Sequence, residues 1–560
     1  MARQMHRRSF LRTLTSLPFD QHPALHKALT PQPLNLTTGL EPYQPNSKLS
    51  AEDARHLLRR TCFAPTPAEL ETATKMTPVE AVEHLLRPLP SPPIPEWYDT
   101  DPLSPSELRR LTEEERRAYR QQQFQQIFEL IRWWYDLMIA ADFSLREKMV
   151  FFFHNHFTSG FVQVKVPHYM LTQNMLFREY AFGNLKELTE KIVYDPAMLV
   201  YLNGNVNTLR RPNENFGREL LELFTMGEGN YTEWDIVEVS RVCTGWFNTF
   251  HKPYYDFDPF PKNPRLRRHD YLSKSIFGEI IDPQVNDDMS TAEIRERGMA
   301  EVPQLIDLIF RQQFDESRGY DASHPYYGKS VAAVFFAAKL YRTFVYEIVD
   351  PTIVAALADL LVENNFQLKL VLKTLLQSAH FFDPQLRGAQ IKSPLDFTVG
   401  LLRMYPFVEL YRNNQRTWNS ILRSVTSVNT ILGLRLLQPP DVSGWPGHRD
   451  WLNTFTYPYR NAVSDLAIQT LLQQSPTVLY QFAQQFPSFQ TNVRTFVSEA
   501  TSYLLAFPPL ESEFDNLVET LLDGAPEYEW SDIAQNAQTV IPRLRAFFQA
   551  TMKLPQFQLT

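Results

Sequence analysis

Two histidines, His154 and His156, stand two residues apart in a strongly apolar stretch. Neutral imidazoles are good ligands for Zn, Fe, Cu or Ni, so the pair is the first candidate metal site, for a divalent transition metal. A two-residue step along a helix turns a side chain by about 200°. The rings therefore converge only where a helix ends or distorts, and Thr158-Ser159-Gly160 supplies an ending nearby. The competing reading packs His156 on one helix face with Leu145, Met149 and Phe152 and leaves His154 hydrogen-bonded elsewhere. A second polar set follows at Glu214, Arg218, Glu219 and Glu222. At about 100° per residue, Phe216, Leu220, Leu223 and Phe224 form an apolar stripe, with Glu214, Arg218 and Glu222 as an i, i+4, i+8 ladder opposite. A solvated ladder explains this at ~0.3–0.5 kcal/mol per pair. Buried in a helical body, the same carboxylates would join the histidines around a metal, although the Glu-x-x-His spacing of di-iron bundles is missing.

Arg241 and Trp246 share a segment with Thr244 and Gly245, and Trp445 lies between Gly444 and Pro446. Tryptophan beside glycine makes either a platform for a flat ligand or a core anchor at a tight turn. His269-Asp270 and Lys274 fall in an aperiodic stretch, and His380 ends a helical pattern. The catalytic candidates are Glu214, Arg218, Glu219, Glu222, Arg241 and His269. Trp246 and Trp445 are the candidate ligand platform, and His154 and His156 the candidate metal ligands.

These groups need a body to hold them. The chain has 560 residues, 44% of them apolar and 13% aromatic, which is too hydrophobic for disorder. A net charge of −8 argues against a nucleic-acid binder working by broad phosphate neutralisation. There is no P-loop, dinucleotide fingerprint or nucleophile elbow, and no apolar run approaches the ~18 residues of a spanning helix. Cys62 and Cys243 are too few for a disulfide framework and read as buried thiols. Periodicity predicts a mainly α, irregular multi-helix body with long Pro-rich and aromatic loops and little or no sheet. The expected parts are an extended arm over 1–48, a helical core over 49–465 with an irregular insertion near 247–290, and a C-terminal helical part over 466–560 packed on the same core. Phe124, Phe128, Ile131, Tyr135 and Met138 predict one buried face of a long helix from Glu113. Ser144-x-x-Glu147 predicts a capping box opening the next helix. At the start, Arg7-Arg8-Ser9-Phe10-Leu11-Arg12 reads as the core of a twin-arginine export signal, but the apolar segment after it is short and broken by Pro18, Asp20 and His22.

Several segments together resemble one family. They are Arg55–Phe63 (RHLLRRTCF), Glu147–Phe157 (EKMVFFFHNHF), Pro212–Thr225 (PNENFGRELLELFT) continuing to Arg241–Trp246 (RVCTGW), Pro439–Gly447 (PPDVSGWPG) and Leu554–Leu559 (LPQFQL). The combination resembles the uncharacterised bacterial family catalogued as domain of unknown function 1800, over roughly residues 50–560. The resemblance implies no established activity or cofactor. It implies frequent twin-arginine starts, an envelope or periplasmic setting, and a phosphatase- or sulfatase-like partner of the DUF1501 type. If the twin-arginine-like start is not read, the location is cytoplasmic. Two function classes follow: a metal-binding or hydrolase-like envelope protein with a buried His/Glu/Arg site, or a non-catalytic accessory protein acting with that partner.

Overall fold

The computed structural model describes residues 29–34, 36, 38–44 and 48–560; the twin-arginine-like start and most of the arm lie outside them. The body begins with α1 (Ala51–Thr61), capped by Ser50, whose side chain accepts from Asp53 N. The long helix α2 (Glu113–Ala140) opens on a capping box between Thr112 and Glu115. Its buried face is Ile127, Leu130, Ile131, Trp134, Tyr135 and Met138, so the predicted stripe holds only in the second half. Phe124 and Phe128 are 58% and 53% exposed. The first half of the helix is mostly exposed: Tyr119 and Arg116 hold only the short segment before it, through Leu103 N, Leu108 O and Leu111 O.

The next helix, α3 (Arg146–His156), does not form the predicted capping box: Leu145 is its N-cap and gives no side-chain bond. Ser144 Oγ accepts from Arg146 N instead, at 3.2 Å. Glu147 is drawn inward by Arg178 of α4 (Pro167–Glu179). Arg178 Nη2 donates to Glu147 Oε2 at 2.9 Å and its Nη1 bonds Oε1. A buried carboxylate takes a full cation before a backbone N–H, because the ion pair offsets more of its lost hydration.

α5 (Glu214–Glu219) continues directly into a π-helical turn, Leu220–Met226, which ends at Gly227. Gly217 lets α5 press against α6 (Glu233–Val242): a Cβ there would lie 2.5 Å from Ser240 Oγ and 2.9 Å from Ile236 O. The aperiodic stretch after α6 is built from two short antiparallel hairpins, β1 (Trp246–Asn248) with β2 (Tyr255–Phe257), and β3 (Lys274–Ile276) with β4 (Glu279–Ile281). Phe257, Ile276 and Ile281 are buried, so this insertion is part of the core. α7 (Glu301–Arg311) and α8 (Val331–Phe344) follow, then α9 (Pro394–Met404). α10 (Thr456–Gln474) runs straight through position 465, and α11 (Ala537–Met552) lies on it. Leu559 bridges Ile391, and Tyr503 OH donates to Met404 O at 3.0 Å. One contiguous apolar cluster reaches from Leu49 to Leu559. No described helix is long and apolar enough to cross a membrane. Cys62 and Cys243 are both free and buried.

Removing one partner of the buried Glu147–Arg178 pair should cost about 3–5 kcal/mol. Glu147→Ala is expected to lower the urea midpoint accordingly. The double variant Glu147→Leu/Arg178→Met should recover most of the loss.

Candidate functional site

The last turn of a helix leaves carbonyls without intrahelical partners. At the end of the π-helical turn, two of these draw in side chains from other helices. His156, on the last turn of α3, meets Phe224 O through Nε2 at 3.0 Å. Lys339 of α8 reaches Leu223 O at 3.1 Å and His156 Nδ1 at 2.9 Å. The ammonium can only donate, so Nδ1 accepts and Nε2–H donates to Phe224 O; the contacts fix the tautomer. A cation is also favoured beside the negative end of a helix. Burial nonetheless pulls Lys339 down to about 7, with the Arg342 charge adding to the effect. Burial holds His156 well below its ordinary value, helped by Lys339, so its ring is neutral. The Lys339 side chain keeps part of its surface exposed, while its Nζ lies over the Phe335 ring, 4.5 Å from the centroid.

His154 does not share this centre. It is 2% exposed, edge-on to Trp134 with centroids 5.4 Å apart, and 5.7 Å from the Trp445 ring. Its Nε2 has no partner, and burial brings it down to about 3. Asn155 between the two histidines docks the Pro439–Gly447 segment, its Oδ1 accepting from Trp445 N at 2.7 Å. Gly444 permits this approach: its φ is +88°, and a Cβ would sit 2.4 Å from Asn155 O. Three of the motif segments thus meet at the end of α3. Within that junction the helix geometry turns the two imidazoles to different neighbours, and among the described residues no three His, Cys, Asp or Glu side chains converge as metal ligands.

The Glu214–Arg218–Glu222 ladder is absent. Arg218 makes a two-pronged pair with Glu233 of α6 at 2.9 and 2.7 Å. Glu222 accepts from Tyr231 OH at 2.5 Å, and Glu214 is exposed. The π-helical turn explains this, because its wider i→i+5 winding takes Glu222 out of line with Arg218. Glu219 is half-buried, and its carboxyl is raised by burial, with Glu222 and Asp441 adding like charge. Trp246 and Trp445 are core residues at 3% and 4% exposure, stacked on Tyr194 and Phe151, so neither offers a ligand an open face.

Arg241 and His269 do come together, inside a closed network. Arg241 bridges Glu238 at 2.9 and 2.8 Å and Asp270 at 2.7 Å. His269 Nδ1 lies 2.8 Å from Thr244 O, and its Nε2 lies 3.3 Å from Glu301 Oε1. Lys274 Nζ bonds Glu301 Oε2 at 2.5 Å and also Asp270 O. The Lys274 and Glu301 side chains are wholly buried. This network ties the second hairpin to α6 and α7. Sequence reasoning missed Glu301 and Lys339. Each is a charge set among apolar neighbours, Glu301 beside Val302 and Leu305 and Lys339 among the Val, Ala and Phe of α8, and that incongruity was the available signal.

A family model described as a protein of unknown function, DUF1800, matches residues 56–559, nearly the whole chain. No curated protein and no solved structure is matched.

The Lys339 shift has a thermodynamic signature. Between about pH 7 and its unfolded value near 10.5, the unfolded chain carries a proton on Lys339 that the folded chain lacks. Stability should therefore gain from Lys339 as pH rises through this window. Denaturation midpoints across it should rise more for the wild type than for Lys339→Met.

Proposed function

We propose that this chain, which belongs to the DUF1800 family, is a hydrolase-like protein whose acid–base centre is the Lys339–His156 pair at the end of the π-helical turn. The observation that carries the reading is a largely buried amine hydrogen-bonded at 2.9 Å to an imidazole of fixed tautomer and held by that burial at about 7. A general base works best when its pKa lies near the operating pH. Lys339 fits that condition, and His156 is placed to keep the amine oriented. π-helical turns recur at functional sites, which is consistent with the position. The reading ranks ahead of metal binding because a transition-metal centre takes three or four protein ligands, and His154 and His156 face different neighbours.

Competitive labelling of the full chain with acetic anhydride, read residue by residue by mass spectrometry, tests the centre. Half-maximal labelling of Lys339 is expected near pH 7, shifting in His156→Gln. Hydrolysis of p-nitrophenyl acetate should show an inflection at the same pH and fall at least tenfold in Lys339→Met. Labelling that follows an ordinary lysine, or turnover that Lys339→Met leaves intact, would sink the proposal.

The accessory reading has one observation in its favour. Phe124, Phe128 and Val162 are each more than half exposed, and the Phe124 ring touches Phe161 with centroids 6.2 Å apart. A phosphatase- or sulfatase-like partner docked there should be lost in Phe124→Ser/Phe128→Ser, as measured by co-purification.

A further inference from the structure

The first motif segment, Arg55–Phe63, plays no part in the Lys339 centre, and it contains an unusual expense. α1 buries two consecutive arginines: Arg59 and Arg60 are 5% and 3% exposed. Adjacent helix positions point about 100° apart, so both directions from this helix bury a cation. Removing a charge from water costs several kcal/mol unless it is paired. Yet each guanidinium makes one hydrogen bond, to a neutral carbonyl: Arg59 Nη2 to Tyr503 O and Arg60 Nη2 to Leu386 O, both at 2.7 Å. Arg60 Nε and Nη1 have no partner.

Beside them lies a cavity of about 140 Å³, lined by four cations, Arg59, Arg60, Lys148 and Arg342, and by the carboxylates Asp396 and Glu347. Asp396, the nearest resident anion, is already committed: Lys148 Nζ and Ser393 Oγ both donate to it. Further cations stand behind the wall. Arg460 is fully buried and donates to Lys392 O and Trp451 O at 3.0 and 3.2 Å. Lys392 Nζ lies over the Phe557 ring, 4.1 Å from its centroid, and burial holds its amine well below the ordinary value, so Arg460 is the cation that counts here. Burial pulls Arg59, Arg60 and Arg460 down to about 9, which leaves all three charged at neutral pH. The cavity has roughly ten times the ~10–15 Å³ that one water needs, so an ion of several heavy atoms fits.

We propose that this cavity binds a small tetrahedral oxyanion, phosphate or sulfate, either free or as the head of an ester, with Arg60 as its central ligand and Arg59, Lys148 and Arg342 around it. A planar guanidinium with two unpartnered nitrogens, Nε and Nη1, is well shaped for such an ion. The anion supplies the charge that the motif arginines lack. The site uses neither Lys339 nor His156, although Arg342, three residues along α8 from Lys339, lends its charge to both places.

Calorimetric titration of the full chain with inorganic phosphate and inorganic sulfate, at fixed ionic strength, tests this. Saturable binding of one ion per chain is expected. Arg60→Gln should weaken it about tenfold to a hundredfold, the usual worth of a hydrogen bond to a charged group. Arg342 is exposed, so Arg342→Glu leaves the fold undisturbed and should also weaken binding; it decides the matter if Arg60→Gln does not fold. Methyl phosphate and methyl sulfate separate the sources: tighter binding of the esters assigns the cavity to an ester head, and weaker binding to the free ion. No saturable binding of any of the four ions overturns the proposal, as does wild-type affinity in both variants.

Discussion

A carbonyl at the end of a buried helix must find a donor, and in this chain that requirement gathers the motif segments. Leu223 O and Phe224 O, at the close of the π-helical turn, take Lys339 and His156. His156 is thereby fixed at the end of α3, and the residue before it, Asn155, is turned to hold Trp445. Three stretches far apart in sequence meet because main-chain oxygens in an apolar interior are too costly to leave bare. The same rule sets the local chemistry: a lysine recruited to cap a helix from a half-buried position cannot keep an ordinary amine pKa.

The molecule handles its buried charges in two different ways. Around Glu301 the charges meet opposites: Lys274 pairs with Glu301, Arg241 with Glu238 and Asp270, and the His269 ring links Glu301 to Thr244 O. Glu147 and Arg178 do the same in a single pair. Such arrangements give shape and register, since breaking any link strands a charge. Around Arg60 the balance is not struck. That contrast within one protein separates a structural ion network from a cavity with positive charge to spare.

Much of the fold was legible because it rests on local rules. The long helix opens at Glu113 where its periodicity begins, the body is mainly helical, and the stretch near 247–290 is irregular but for two short hairpins. The misreadings share one cause, which is that a nonlocal partner outbid a local one. Glu147 left its capping box for Arg178, and Arg218 left its ladder for Glu233. The π-helical turn was invisible because nothing in LLELFTM breaks a 3.6-residue pattern. Of the candidate site residues, His156 fell at a polar junction and Arg241 with His269 in a closed network, while His154, Trp246 and Trp445 went to the core. Lys339 and Arg60 needed three dimensions, because what marks each is the company it keeps.

The overhanging first half of α2 has its own consequence. From Glu113 to Gln125 the helix is held by its capping box, by exposed ion pairs of Glu113 with Arg116 and Arg120, each worth ~0–1 kcal/mol, and by Tyr119 and Arg116 bonding the segment just before it. From Gln126 onward it is clamped by buried residues. The helix is thus two cooperative units on one continuous backbone. Amide hydrogens before the boundary exchange through fraying, and those after it exchange only when the whole body opens. A protease cutting in the overhang therefore meets a segment that can melt alone, leaving the folded body as its product.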